Sequence, residues 1–242
     1  MKRILIVGGA NGIGLSIATV LSKRQDVEII YIVDKACVAD EFKNDKIKEY
    51  QFDLTAEDYS LFDNFQDIDT LMITAGFGRL QLFKDVDENL ISTSFNVNTI
   101  PVMRIIKRFY DRLENDKDFY CGVMVSIAGF MSSPFFSIYA ATKAALKVFI
   151  ESVNVELIKV GSSNRILNIS PGSLKGTSFN NGKTDLIVTA PMANSIIEHL
   201  EAKDDLFIPQ YEEVFKEVLE RYYKDFRAEG LHSYEYKQQR LK

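Results

Sequence analysis

The stretch Arg3-Ile-Leu-Ile-Val-Gly-Gly-Ala-Asn-Gly-Ile-Gly14 constrains the fold more than any other part of the chain. Arg3 to Val7 is a short continuous apolar run, as expected of a strand buried on both faces. Gly8, Gly12 and Gly14, with Asn11 and Ile13 between them, form a glycine turn, and Leu15 to Arg24 carries helical spacing. Strand, turn and helix in that order point a helix N-terminus and free backbone N–H groups at a phosphate. The spacing is Gly-x-x-x-Gly-x-Gly and not Gly-x-Gly-x-x-Gly. Read blandly it is a tight turn, but three spaced glycines directly after a strand weigh against that.

The pattern then recurs. Glu28 to Val33 is a second strand ending at Asp34, an acidic residue about 20 residues past the glycines, where it suits the ribose hydroxyls of an adenosine. Ile47 to Phe52 ends at Asp53-Leu54, Thr70 to Thr74 runs into Ala75-Gly76, and Val123 to Ser126 is a fifth strand. Arg165 to Ile169 precedes Ser170-Pro171-Gly172, and Leu206 to Ile208 is a seventh strand. Helical segments alternate with these strands. The prediction is a single α/β domain over residues 1–242, with a doubly wound, mostly parallel seven-stranded sheet. Glu88 to Leu113 reads as one long helix that Pro101 bends near Val97 and Asn98. Ser173 to Lys183 is rich in Gly, Ser, Asn and Thr, and Thr189 can cap a short helix through Glu201. Residues 173–201 are thus a candidate lid. Tyr211 to Glu229 reads as an amphipathic helix stopped by Gly230.

Bulk properties narrow the function classes. The net charge of −5 gives no footprint for nucleic acid. Lys237, Arg240 and Lys242 near the C-terminus, with Glu235 among them, read as a solvated end. No apolar run approaches the ~18 residues of a membrane helix, so no membrane association is expected. The apolar run after Met1 ends at Val7, too short for a signal peptide. Cys37 and Cys121 form neither a disulfide framework nor a metal-binding spacing, so no metal and a cytoplasmic location are expected.

The chemistry sits in Tyr139-Ala-Ala-Thr-Lys143, at the start of a helical stretch from Ser137 to Val160. Positions i and i+4 stack on one helix face, so the phenol and the ammonium are neighbours. Lowering a phenol from ~10 to ~7 needs about 4 kcal/mol. One cation ~4 Å away at an effective dielectric of 20 supplies about that much. Ala140, Ala141, Ala144 and Ala145 would let another backbone or a flat ligand come close. Taken alone, Tyr-x-x-x-Lys is more often a chance pairing, so the rest of the chain has to support it.

Together these residues resemble the short-chain dehydrogenase/reductase family. Gly8, Gly12 and Gly14 match its glycine motif, Asp53-Leu54 its adenine-side acidic pair, and Asn98, Ser126, Tyr139 and Lys143 its active-site set. Pro171-Gly172 with Thr177 matches its stretch beside the nicotinamide. Val7 stands where Thr is usual, and Ile73-Thr74-Ala75-Gly76 where Asn-Asn-Ala-Gly is usual. The resemblance implies hydride transfer between a nicotinamide and a carbonyl or secondary alcohol. Tyr139 would be the general acid/base. Lys143 would lower its pKa and hold the ribose, Ser126 would hydrogen-bond the substrate oxygen, and Asn98 would hold a relay water. It also implies a homo-oligomer, a dimer first and a tetramer second, paired through the helices containing Asn98 and Tyr139. NAD is preferred over NADP, because Asp34 would repel a 2′-phosphate by roughly 4 kcal/mol before screening. Lys35 is the counterweight. Phe130, Met131, Phe135, Phe136 and Phe179 tilt the substrate toward an apolar one. Competing readings are an NAD(H)-binding sensor or partner-binding protein without turnover, and an epimerase or dehydratase on the same fold.

Overall fold

The computed structural model describes residues 1–177, 179 and 183–240. Seven strands form one sheet in the order β3-β2-β1-β4-β5-β6-β7, every pair parallel. They are β1 (Arg3–Val7), β2 (Ile29–Asp34), β3 (Ile47–Gln51), β4 (Thr70–Ile73), β5 (Tyr120–Met124), β6 (Ile166–Ile169) and β7 (Leu206–Phe207). The expected fold is present, and wholly parallel where the sequence suggested mostly so. β1 and β4 are fully buried apart from Arg3, as continuous apolar runs should be when helices cover both faces. The order reverses between β1 and β4, and the crevice outside the carboxyl ends of such strands is where these sheets bind ligands.

One face of the sheet carries α1 (Gly12–Ser22) and α6 (Leu186–Ala202), which pack around Ile4, Ile6, Leu15, Ile17, Leu167 and Ile196. The other carries α2 (Glu88–Asn98), α3 (Ile100–Arg108), α4 (Tyr110–Glu114) and α5 (Ser137–Lys159). Its core joins Leu5, Leu71, Ile105, Leu146 and Leu157 to an aromatic cluster that includes Tyr59, Phe62 and Phe65.

Several expectations need correction. The predicted long helix is three segments, broken at Thr99 (φ −124°, ψ −62°) and again at Phe109. Pro101 lies in the first turn of α3, where its missing N–H costs least. β5 begins three residues earlier than expected and ends at Met124, so Ser126 stands just beyond it. The helix assigned to Thr189 begins at Leu186. Asp185 is its cap, accepting from the amides of Ile187 and Val188, and Thr189 lies inside the first turn. Buried Ala193, Ile196 and Leu200 tie this helix into the core, and residues 178 and 180–182 of the candidate lid lie outside the described residues.

The C-terminal helix does not stop at Gly230. A π-turn (Tyr211–Phe215) leads into α7 (Lys216–Lys224), Asp225 breaks the chain, and α8 (Phe226–Arg240) runs through Gly230. Asp225 caps α8 by accepting from Arg227 N and Ala228 N. Nor is the tail wholly solvated. Lys237 is partly buried against Ser133 and Pro134, while Lys242 lies outside the described residues. Among the described residues no helix is long and apolar enough to cross a membrane.

Candidate active site

The glycine turn links β1 to α1 at the switch point. Gly8 has φ +88°, and a Cβ there would stand 2.4 Å from the Ala75 nitrogen, so only glycine lets β1 and the end of β4 abut. At Gly14 a Cβ would stand 2.3 Å from the Gly8 carbonyl oxygen and 2.4 Å from Thr74 Oγ1. Thr74 donates to the Gly8 oxygen at 2.8 Å, so this replacement for the usual asparagine still pins β4 to the turn. Asn11 precedes α1 and its side chain caps none of the first-turn amides. The Gly12 amide donates to Thr184 Oγ1 at 2.8 Å, and buried Thr177 lies 3.5 Å from where a Gly12 Cβ would be. An oxygen from the chain's own loop thus already occupies an acceptor position at the helix N-terminus. Ile13 is buried beneath.

Asp34 closes β2 beside this turn. Its Oδ2 accepts from Ala10 N at 2.9 Å and its Oδ1 from Ala36 N at 3.0 Å. Lys35 turns instead to Asp53, 2.8 Å away. That ion pair, with two hydrogen bonds from Thr55, holds the Asp53 carboxyl down at about 2. Leu54 packs against the aromatic core, and its carbonyl accepts from Tyr59.

The bare backbone at Gly8 and Gly14, the uncapped helix start with an oxygen already seated on Gly12, and the acidic side chain at the next strand end together fit the phosphates and ribose of a dinucleotide.

Tyr139 and Lys143 lie on the first turns of α5. The Lys143 Nζ is 5.7 Å from the Tyr139 ring centroid and donates to the Met124 carbonyl at 2.8 Å. Gly129 abuts the same helix, since a Cβ there would stand 2.8 Å from the Lys143 carbonyl carbon; the small-residue face does admit another backbone. Burial pushes the Tyr139 phenol up to about 12, and a hydrogen bond with Ser126 opposes it. Burial pulls Lys143 down to about 8. The lowered phenol expected from the sequence is therefore not a property of this state. Each group is drawn toward neutrality by loss of water, and the ammonium does not offset that for the phenol.

Ser126 accepts from Ala128 N at 3.1 Å and reaches the Pro171 carbonyl at 3.5 Å. Asn98 is fully buried. Its Oδ1 accepts from Phe77 N at 2.9 Å, while its Nδ2 donates to Phe77 O at 2.8 Å and Thr142 Oγ1 at 3.2 Å. Asn98 thereby ties the chain after β4 to α5. Around Gly76 the room is tight, a Cβ there standing 3.2 Å from Asn98 Oδ1 and 3.3 Å from Lys143 Nζ. The structure thus gathers Asn98, Ser126, Tyr139 and Lys143 at the carboxyl ends of β4 and β5.

Four neighbours had no functional reading, or only a weak one, in the sequence. Phe136 lies 5.6 Å from the Tyr139 ring, and Phe179 lies 5.3 Å from it, centroid to centroid. Phe215 covers Gly172, where a Cβ would meet its ring at 2.7 Å. Thr184 sits on the glycine turn. The aromatic residues around the central helix hinted at the first two, whereas no local pattern marks Phe215 or Thr184.

A family model described as short chain dehydrogenase matches residues 2–186. The uncharacterized oxidoreductase TDA5 of Saccharomyces cerevisiae is 26% identical over 185 residues, covering 73% of this chain and 56% of that protein. The chain therefore matches little more than half the length of that relative. Among solved structures, a short-chain dehydrogenase/reductase from Burkholderia phymatum in complex with NAD superposes with a TM-score of 0.79 at 16% identity, covering 94% of each chain. One from Burkholderia cenocepacia in complex with NADP gives 0.78 at 18% identity, covering 96% of this chain and 99% of that one.

Proposed function

The chain belongs to the short-chain dehydrogenase family, and from that premise we propose that it is an oxidoreductase moving a hydride between a nicotinamide dinucleotide and the carbon of a carbonyl or secondary alcohol. The observation that carries this reading is the convergence of Asn98, Ser126, Tyr139 and Lys143 beside a glycine turn shaped for a dinucleotide. The bound nicotinamide would supply the hydride acceptor or donor.

Tyr139 gives its phenolic proton to the carbonyl oxygen in reduction and takes one from the alcohol in oxidation. A phenol raised to about 12 is protonated at neutral pH, the form that reduction needs. Ser126, already hydrogen-bonded to Tyr139, orients the substrate oxygen. Lys143 holds the ribose and favours the phenolate when oxidation requires it. Asn98 fixes the chain after β4, and near the helix break a relay water reaches Lys143.

NAD is the preferred cofactor on this account. Asp34 faces the turn, and Lys35 is engaged by Asp53 and so is turned away from a 2′-phosphate. Residues 173–185 act as a lid within a single domain, and two chains pair through α2, α3 and α5.

The test is a panel of secondary alcohols and ketones followed by NADH absorbance. Turnover of any member supports dehydrogenase chemistry. NADH binding with no turnover across the panel points to a sensor, and product without net NADH change points to epimerisation or dehydration.

A further inference from the structure

Helix α8 lies against the segment leading into α5. Lys237 Nζ donates to Ser133 Oγ at 2.7 Å and to the Pro134 carbonyl at 3.0 Å, and it stands 5.5 Å from the Phe136 ring centroid. The Tyr234 ring packs 4.8 Å from that of Phe135. Ser132 Oγ reaches the Phe226 carbonyl at 3.5 Å, and a Cβ on Gly230 would stand 3.1 Å from Ser132 Oγ, so the helix approaches with bare backbone.

The clamped segment is strained. Phe135 has φ +66°, a left-handed conformation that an aromatic residue keeps only where its surroundings impose it. Its carbonyl accepts from Gln81 N at 2.9 Å, so the loop after β4 holds one side and α8 the other. The next residue is the N-cap of the helix that carries Tyr139: the Phe136 carbonyl accepts from Ala140 N at 2.7 Å, and its ring lies against the Tyr139 ring. Phe136 is thus the shared neighbour of the Lys237 ammonium and the Tyr139 phenol.

We propose that Lys237 is a positioning residue: by hydrogen-bonding Ser133 and Pro134 it holds Ser132–Phe136 in the strained form that sets Phe136 against Tyr139, and so shapes the substrate side of the site. Both acceptors are neutral oxygens, and burial draws the ammonium down to about 8. A lysine is moved out of water only when its hydrogen bonds repay the loss. The kinetic consequence rests on the hydride-transfer reading, whereas the clamp does not.

The test is Lys237→Met, which keeps the aliphatic stem and removes the donors. Amide exchange across residues 131–138, read by mass spectrometry, is expected to quicken about tenfold, as follows from losing a charge-assisted hydrogen bond, with β1 and α6 unchanged. With the best substrate of the panel, KM should rise about tenfold with the cofactor Kd unchanged and kcat within about threefold, which is how loss of substrate fit reads. General loss of stability would instead speed exchange everywhere and weaken cofactor binding too. Ser133→Ala removes one acceptor and is expected to give a smaller change in the same segment, which keeps the test alive if the methionine variant does not fold. Unchanged exchange at 131–138 overturns the proposal, as does quickened exchange with unaltered KM. If nothing in the panel turns over, the hydride-transfer reading fails and the exchange result alone decides the clamp.

Discussion

Burial acts on Tyr139 and Lys143 in opposite directions, and the Lys143 shift has a measurable consequence for stability. Lys143 has a folded pKa of about 8 against an ordinary 10.5. The unfolded chain therefore holds the proton more tightly, and wild-type stability rises with pH between those two values. Lys143→Met removes a buried charge, so at pH 7 it should stabilise the fold by about 1–3 kcal/mol, less whatever the stranded Met124 carbonyl costs. That advantage should shrink as pH climbs from 8 toward 10.5, because wild type then sheds the proton. Urea denaturation at the two ends of that window checks this, and the same variant should bind NAD more weakly. Asp34→Ala is expected to loosen NAD and tighten NADP, shifting the ratio of their dissociation constants by about tenfold once solvent and salt have reduced the bare repulsion. An unchanged ratio would show that Asp34 does not discriminate. Tyr139 and Lys143 were legible in the sequence because a helix makes positions i and i+4 neighbours. Lys237 was not, since nothing local distinguishes a lysine that will find a carbonyl 103 residues away from one that stays in water.

At the scale of elements, the strands were legible and the helix ends were not. A continuous apolar run buried on both faces is a signal in itself, which is why β1 and β4 stand close to where the sequence put them. Helix ends depend on what caps or breaks the chain. Gly230 read as a stop, yet its missing side chain serves close approach to Ser132, and the break falls at Asp225, whose side chain caps α8. Thr184 seated on the Gly12 amide gives the lid proposal a test. A dinucleotide phosphate bound there competes for that amide, so the loop must rearrange with the cofactor. Lys175 and Lys183 lie within the proposed lid and are exposed. Saturating NAD is expected to change tryptic cleavage at these two lysines severalfold while leaving cleavage at the exposed Lys48 alone. Identical cleavage with and without cofactor would mean that the loop does not respond to it.

At the scale of the whole molecule, the apolar residues of α5 fall on two faces. Leu157 is in the core, whereas Val148 and Val155 are 59% and 65% exposed, with Ile158 nearby at 55% and Ile100 of α3 at 45%. An uncovered apolar stripe on α5 is what the proposed two-fold pairing needs. Light scattering at micromolar concentration should give a dimer for wild type and a monomer for Val155→Asp, and a monomeric wild type would refute the pairing. The proposed hydride transfer depends on one proton. Tyr139→Phe keeps the ring that packs against Phe136 and Phe179 and loses only the hydroxyl. The most direct measurement is kcat of wild type and Tyr139→Phe on the best substrate of the panel, with the NAD dissociation constant of each. The substitution is expected to lower kcat by ~10²–10⁴-fold and leave NAD binding nearly unchanged. Near-normal turnover by Tyr139→Phe would contradict it.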